Sequence, residues 1–440
     1  MHSNVGQGDV VIIGGGIAGL TAATFIARSG KSVRLFEQSR ALGGRAQTKE
    51  QGGFYLNIGP HALYRSGRGI EVLRELGVEP RGSVPSVSGA FAIKNNTKHT
   101  FPAGALSLLM TSLFGLPAKL EAARLLASVA KIDGNRVMNV TVREWLDQNV
   151  SNAEVKDLIL AAFRVATYTN APDLMSAGAA LEQLKKAQDK SVLYLDSGWQ
   201  TLVDALRDVA TRSGVKIETG LRVEAVTRDT TGSISGVRLA DGIEVKASTV
   251  VVASSPSVLT ELVEGSEQTS LARWCTESIP VRAACLDLAL SKLPAPKATF
   301  ALGIDRPHYL SVHSAAARLA PEGSAMIHTA KYLPPSHNDS SESVARELEG
   351  LLDLVQPGWR DVVVYRRFLP DMIVMNALPL AALGGTRGRP GPQVVDVPGL
   401  FVAGDWVGEE GLLVDASLAS ARRAAELIAA PRAVRLAATV

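Results

Sequence analysis

The sequence predicts a mixed α/β and α+β protein: a discontinuous Rossmann-like domain into which a second domain of mixed sheet and helices is inserted. Three observations predict it. A short β-branched run, Asp9 to Ile13, leads straight into a glycine-rich turn and an Ala-rich stretch with helical spacing. Strand signals return in the middle of the chain, and a strand, a Gly-Asp turn and a helix close it. At 440 residues the chain is also longer than one hydrophobic core usually serves, so two domains are expected.

Taken in order, Ile17 to Arg28 reads as a helix ended by Gly30, and Ser32 to Phe36 alternates as a second strand. Ile70 to Leu76 is a short helix before Gly77. After about residue 85 the character changes. Leu106 to Leu116 and Leu120 to Val129 read as apolar helices, and Val142 to Leu146 and Val155 to Phe163 as further helix. Trp199 to Thr211 is an amphipathic helix. Val215 to Val226 and Gly236 to Val245 read as strands of an antiparallel unit with Asp241-Gly242 as its hairpin turn, and Thr249 to Ala253 as a buried strand. Strand signals follow at Ala283–Leu290, Ala325–Thr329, Val362–Arg366 and Leu400–Ala403, and Asp415 to Ala430 is the closing helix. The nucleotide-type domain is therefore expected from residues 1–85, 196–265 and 393–440, and the second domain from 86–195 and 266–392.

Composition excludes several classes. Net charge is +3, with no polybasic run or basic–aromatic interleaving, so no nucleic-acid partner is expected. Cys275 and Cys285 form no CxxC, which argues against a disulfide framework and fits a reducing compartment. The first residues, MHSNVGQG, lack the pattern of a secretory signal, so a cytoplasmic location is expected, peripheral to a membrane at most. His308, His313 and His328 have no spacing that sets two on one face with a carboxylate, and no metal is expected. Residues 102–118 carry no charge but fall short of the roughly 20 apolar residues that span a bilayer. Domain core is their default reading; a membrane-facing surface or the roof of a greasy tunnel are the alternatives.

Gly14-Gly15-Gly16-Ile17-Ala18-Gly19 fits G-x-G-x-x-G between a strand and a helix. Gly14 makes the turn, Gly16 admits a pyrophosphate, and Gly19 lets helix pack on strand. The free N–H groups of the helix start, at Ile17 and Ala18, favour an anion. Glu37, followed by Gln38, ends the second strand 23 positions after Gly14, where a ribose diol is held. The plain alternative is a glycine-rich turn beside an unrelated surface Glu. The motif alone does not separate NAD from FAD.

The next segment does. Ser39 to Arg45, with Gly43, Gly44 and Arg45, resembles the stretch after the fingerprint in the superfamily of flavin amine oxidases, phytoene desaturases and protoporphyrinogen oxidases, closer to the phytoene desaturase-like branch. There the double glycine and Arg line the FAD pyrophosphate. Leu400 to Trp406 resembles that superfamily's C-terminal flavin motif, with Gly404 and Asp405 at the matching positions. Leu412 and Leu413 lead into a helix whose N-terminus would face the flavin ring, with Ala419-Ser420 in place of the usual Ser-Gly. Leu56 to His61 is similar to the segment that passes the isoalloxazine, so Gly59, Pro60 and His61 would line it; Asn57 replaces the more usual Asp. Ser197-Gly198-Trp199 resembles a Gly-Gly turn, and Leu221-Arg222-Val223 the strand whose valine, Val223, meets the adenine; Ala253 ends the neighbouring strand. The resemblance implies a glutathione-reductase-like FAD domain. No Cys lies in 380–400 for a covalent link, so the FAD is expected to be noncovalent.

Members of that superfamily remove two hydrogens from C–N or C–C bonds. Cys285 falls where many amine oxidases carry a lysine, and no aromatic pair is evident near the C-terminal motif. The implied activity is a desaturase- or porphyrinogen-oxidase-like oxidation of a hydrophobic small molecule. Alternatives are a flavin amine oxidase, a flavin-dependent isomerase, and a binding protein like the GDP-dissociation inhibitors. His61 is the candidate catalytic residue, its alternative a loop histidine bonded to backbone. Trp406 packs on the flavin or fills core, with core favoured. Lys331 and Tyr332 line a pocket or lie on the surface, with surface favoured. Arg387 and Arg389 clamp an acidic group or sit in a solvated loop, with the loop favoured.

Overall fold

Five parallel strands form the first sheet, in the order Lys216–Thr219, Val33–Glu37, Val10–Ile13, Thr249–Val252, Leu400–Val402. A computed structural model describes residues 10–189 and 192–430 of the chain; Asp9, the N-terminal octet and the last ten residues lie outside the described residues. The central segments VVII and TVVV are buried along their whole length, as strands covered on both faces must be. Helices Ile17–Arg28, Gln200–Arg212 and Leu413–Ala429 cover one face through Leu20, Leu206 and Leu418. A three-stranded antiparallel sheet (Val223–Arg228, Ile234–Leu239, Glu244–Lys246) covers the other through Val226 and Val237.

Two sequence expectations need correction here. The run 215–226 is two strands in two sheets: Lys216–Thr219 pairs parallel with Val33–Glu37, and Val223–Arg228 pairs antiparallel with Ile234–Leu239. Gly220, at φ +74°, turns the chain between them, which a run of apolar letters does not reveal. The run 236–245 is likewise divided, because Asp241-Gly242 lies inside it and Asp241 accepts the Ile243 N–H at 3.1 Å.

The second sheet has seven strands, ordered Val363–Met375, Val281–Leu290, Ala325–Leu333, His308–Val312, Phe300–Gly303, Phe91–Lys94, Thr97–Thr100. Helix Ser341–Val355 packs on one face through Leu348 and Leu352. Helices Leu116–Val129, Val142–Asn149, Ala153–Thr167 and Ala177–Asp189 gather on the other. Ala177–Asp189 and Ser341–Val355 are absent from the sequence reading. The first presents mostly Ala and Gly to the core, and the second lies in a region dominated by strand signals. Strand Val192–Leu195, also unanticipated, pairs with Leu63–Tyr64 and Gly82–Ser83 and ties the chain's middle to its beginning.

Residues 102–118 depart from the core expectation. Only Ala105–Met110 is helical before Leu116, and although Leu108, Leu113 and Phe114 are buried, Leu106, Leu109, Met110 and Leu116 are 64–71% exposed. Among the described residues no helix is long and apolar enough to cross a membrane.

Candidate active site

The carboxyl ends of the parallel strands bring the glycine segments together. Gly14 donates its N–H to Phe36 O at 2.8 Å, and Ala253, at the tip of the adjacent strand, donates to Ile13 O at 2.8 Å. A Cβ on Gly19 would lie 1.9 Å from Gly14 O, so helix and turn touch there and only glycine fits. Gly16 differs: a Cβ would meet nothing nearer than Gly43 O at 3.9 Å, and one on Gly44 nothing nearer than the Gly16 Cα at 4.0 Å. Gly16 and Gly43 form a parallel bridge, so two glycine backbones line an open cradle at the helix start. Gly16 caps that helix with no side-chain hydrogen bond, leaving the first-turn N–H groups around Ile17 and Ala18 unspent on a side-chain cap.

Glu37 stands at one end of this cradle. Its carboxylate accepts the Gly15 N–H at 2.7 Å and the Ser39 N–H at 2.8 Å, while Gln38 is exposed beside it. Leu221 donates to Glu37 O at 3.0 Å, which places Val223, buried at the start of its strand, in the same neighbourhood.

At the other end Arg45 donates to Asp405 Oδ2 at 2.7 Å and to Val374 O at 2.9 Å. Asp405 is buried, and Asn376 adds a second side-chain bond at 2.8 Å. Ser420 takes over where the usual Ser-Gly is missing: its hydroxyl accepts the Gly404 N–H at 3.0 Å and donates to Gly404 O at 2.9 Å, locking the C-terminal helix to the Gly-Asp turn. Leu412 caps that helix, and Leu413 adopts φ +56° at its first position, a left-handed conformation that costs a non-glycine residue about 1–2 kcal/mol. Asp415, two residues further, is buried and takes the Gly69 N–H at 3.0 Å and the Lys186 ammonium at 2.9 Å. Trp406 is 1% exposed and donates to Ser254 O at 2.9 Å within the core.

Gly59 and Pro60 are buried, and a Cβ on Gly59 would sit 3.0 Å from Cys285 Sγ. Cys285 thus stands beside the turn, and burial raises its thiol well above the usual range, so it is held neutral. His61 is half-buried, its ring 5.0 Å from Trp199. Its Nδ1–H donates to Gly59 O at 3.1 Å, which leaves Nε2 as the lone-pair nitrogen. Burial lowers its imidazole to about 4 against the opposing pull of that carbonyl. Asn57 Oδ1, in place of the more usual carboxylate, accepts the Trp199 N–H at 3.0 Å and the Thr48 hydroxyl at 2.6 Å, docking the Ser197–Trp199 turn against this segment.

Behind the turn lies a group that sequence reasoning missed. His328 Nδ1 bonds Asp287 Oδ1 at 2.6 Å, and Arg367 bonds Asp287 Oδ2 at 2.6 Å and also reaches Asn57 O. Burial raises the Asp287 carboxyl, but charge and hydrogen bonds from His328 and Arg367 outweigh it, and the net shift is downward. No spacing signal marks this group, because its members sit on three neighbouring strands. Lys331 and Tyr332 correct the surface reading: Lys331 is 8% exposed and paired with Asp339 and Glu347, and Tyr332 is fully buried. Arg387 is exposed, whereas Arg389 is half-buried and donates to Gly411 O at 2.8 Å.

A cavity of about 660 Å³ is walled by Ala62, the residue that follows His61, and by Tyr64, Tyr168, Tyr194, Phe300 and Tyr309 among others. Its size suits a small-molecule ligand. Its aromatic lining comes from several elements far apart in sequence.

The family model described as flavin containing amine oxidoreductase matches residues 17–429. The 4,4'-diaponeurosporene oxygenase of Staphylococcus aureus is 23% identical over 286 residues, 55% of this chain and 54% of that protein, so the match spans about half the length of this curated relative. An oxidoreductase structure from Methanosarcina mazei superposes with a TM-score of 0.73 at 20% identity, covering 94% of this chain and 98% of that one. Cyclohexylamine oxidase from Brevibacterium oxydans gives 0.71 at 18%, covering 96% and 99%. At these identities the two structures show a shared fold.

Proposed function

The chain belongs to the flavin containing amine oxidoreductase family, a class of FAD-dependent oxidoreductases, and from that premise we propose that it removes two hydrogens from a hydrophobic small molecule in a desaturase- or porphyrinogen-oxidase-like reaction. The observation that carries this reading is the aromatic and aliphatic cavity reached by Ala62 and Tyr64, just after the Gly59–His61 turn, with a neutral Cys285 rather than an ammonium against that turn. The relative named 4,4'-diaponeurosporene oxygenase supports the same substrate class.

The residues present fit FAD. The open space at Gly16 and Gly44, shaped by the packed turns at Gly14 and Gly43, with the N–H groups of Ile17 and Ala18 would hold a pyrophosphate, helped by Gly19 packing and by Arg45, which Asp405 fixes. Glu37, with Gln38 beside it, would hold the ribose, and Val223 and Ala253 the adenine side. Gly59, Pro60, His61, Gly404, Leu412 and Leu413 would border the ring. When bound, FAD supplies the two-electron acceptor. The chain's own contribution is to exclude water, orient the substrate and keep a neutral imidazole, His61, held by its Nδ1–H on Gly59 O. The same reading divides the chain into an FAD part (1–85, 196–265, 393–440) and a substrate part (86–195, 266–392), supported by the separate parallel and seven-stranded sheets.

Anaerobic mixing with candidate substrates tests this directly. Polyenes or porphyrinogens should bleach the flavin; bleaching by simple amines alone would favour the amine oxidase alternative.

The exposed apolar residues of 102–118 support a finer reading, contact with an anionic membrane surface. Leu106, Leu109, Met110, Leu116 and Leu120 project outward, Lys98, Lys119 and Arg124 flank them, and no Asp or Glu occurs between 95 and 120.

A further inference from the structure

Three of the side chains that wall the cavity form a connected hydroxyl cluster. Tyr194 Oη lies 3.2 Å from Tyr309 Oη and 3.2 Å from Ser311 Oγ, and Tyr309 Oη lies 3.2 Å from His313 Nε2. Tyr194, Tyr309, Ser311 and His313 are all at most 5% exposed. Tyr64, also on the wall, spends its hydroxyl on Ala166 O at 2.9 Å. Much of the remaining wall is apolar, including Ala62, Val87, Val165 and Leu184.

The geometry points to this cluster as the anchor for one neutral oxygen, a hydroxyl or carbonyl, on an otherwise apolar substrate. The inference deepens the proposed reading and rests on the cavity being the substrate site. Hydroxyl–hydroxyl bonds usually close to about 2.7–2.8 Å. At 3.2 Å these are loose, so a ligand oxygen competes for them at small cost. His313 Nδ1 is buried without a partner, so the cluster has unused bonding capacity.

The cluster also serves either kind of oxygen. His313 is held neutral by burial and by its neighbours His328 and His61, so one ring nitrogen donates and the other accepts. With Nε2 accepting, Tyr309 donates to His313, Tyr194 to Tyr309 and Ser311 to Tyr194, leaving Ser311 Oγ open as an acceptor. With Nε2 donating, every bond reverses and the Ser311 proton is free for a carbonyl. Tyr194 stacks on the His313 ring at 3.8 Å, and His328, fixed by Asp287, meets that ring edge-on at 4.5 Å. The hydroxyls are therefore held in place before a ligand arrives.

The test is a binding cycle on the FAD-loaded protein with 4-propylphenol and propylbenzene, read by calorimetry. The measured quantity is the ratio of the two affinities in the wild type, in Tyr309→Phe and in Tyr194→Phe with Ser311→Ala. These substitutions remove hydroxyls while keeping the aromatic and backbone scaffold, and the melting temperature checks that they fold. The phenol's relative affinity should fall about five- to tenfold in Tyr194→Phe with Ser311→Ala, which removes the oxygen that meets the ligand, and by a smaller factor in Tyr309→Phe, while propylbenzene binding stays unchanged. An unchanged ratio in both variants, or an equal loss for both ligands, overturns the inference. Flavin content read on the same samples keeps a failure of FAD binding separate from a failure of the anchor.

Discussion

Arg45 and Asp405, 360 positions apart, form a charged pair at 2.7 Å that ties the glycine loop after the second strand to the C-terminal Gly-Asp turn. Asp405 is the buried partner at 2% side-chain exposure and Arg45 the half-exposed one at 41%. Arg45→Ala leaves the carboxylate with Asn376 as its remaining side-chain partner. That variant should lose about 1–3 kcal/mol of stability and retain less FAD, checked by denaturant unfolding and flavin content after gel filtration. Arg45→Lys should recover charge but not full FAD retention, because the planar fork is lost.

Gly16 faces open space, the proposed cofactor space, whereas Gly19 is packed. Gly16→Ala adds a methyl where the protein has room, so the melting temperature of the FAD-free protein should hold while FAD affinity falls at least tenfold. Gly19→Ala drives its methyl into Gly14 O and should destabilise the fold whether or not FAD is present. Equal behaviour of the two variants would contradict the cradle.

Acid should weaken the protein in a defined window. His61 is lowered to about 4 from 6.5, and His313 is lowered well below 6.5, both chiefly by burial. The unfolded chain therefore binds more protons between about pH 6.5 and 4, and stability falls as pH drops through that range. Asp287 does not act there, since its shift is downward and its contribution is lost only at lower pH. Melting temperature against pH checks this, and His61→Gln should flatten part of the slope. The same variant should slow flavin reduction more than it changes FAD content; an unchanged rate would make His61 a scaffold residue.

Replacing Leu106, Leu109, Met110 and Leu116 with Ser should leave stability within about 0.5 kcal/mol, since these side chains are exposed. The variant should lose cosedimentation with phosphatidylserine vesicles. Wild-type protein that ignores such vesicles would remove the membrane contact.

Much of the parallel-sheet part of the fold was legible because local rules set it. The strand before Gly14, the helix after it and Glu37 follow from short-range pattern, and the Gly404-Asp405 turn follows from a strand–turn–helix signature. What the pattern could not show depends on contacts across long loops. Asp287 meeting His328 and Arg367 is set by sheet register, Ser420 reaching Gly404 by how the closing helix docks on the Gly-Asp turn, and Tyr194 meeting Tyr309 by the packing of two separate sheets. Lys331 was misjudged for the same reason: its neighbours Asp339 and Glu347 become close only when Ser341–Val355 folds over the sheet.

Visible absorbance of the purified protein, after incubation with FAD and removal of the excess, tests the central claim most directly. The account predicts about one bound flavin per chain in the wild type, released by heat or acid, and markedly less in Glu37→Ala and Asp405→Ala. A colourless wild type after reconstitution would contradict it, as would full flavin retention in both variants.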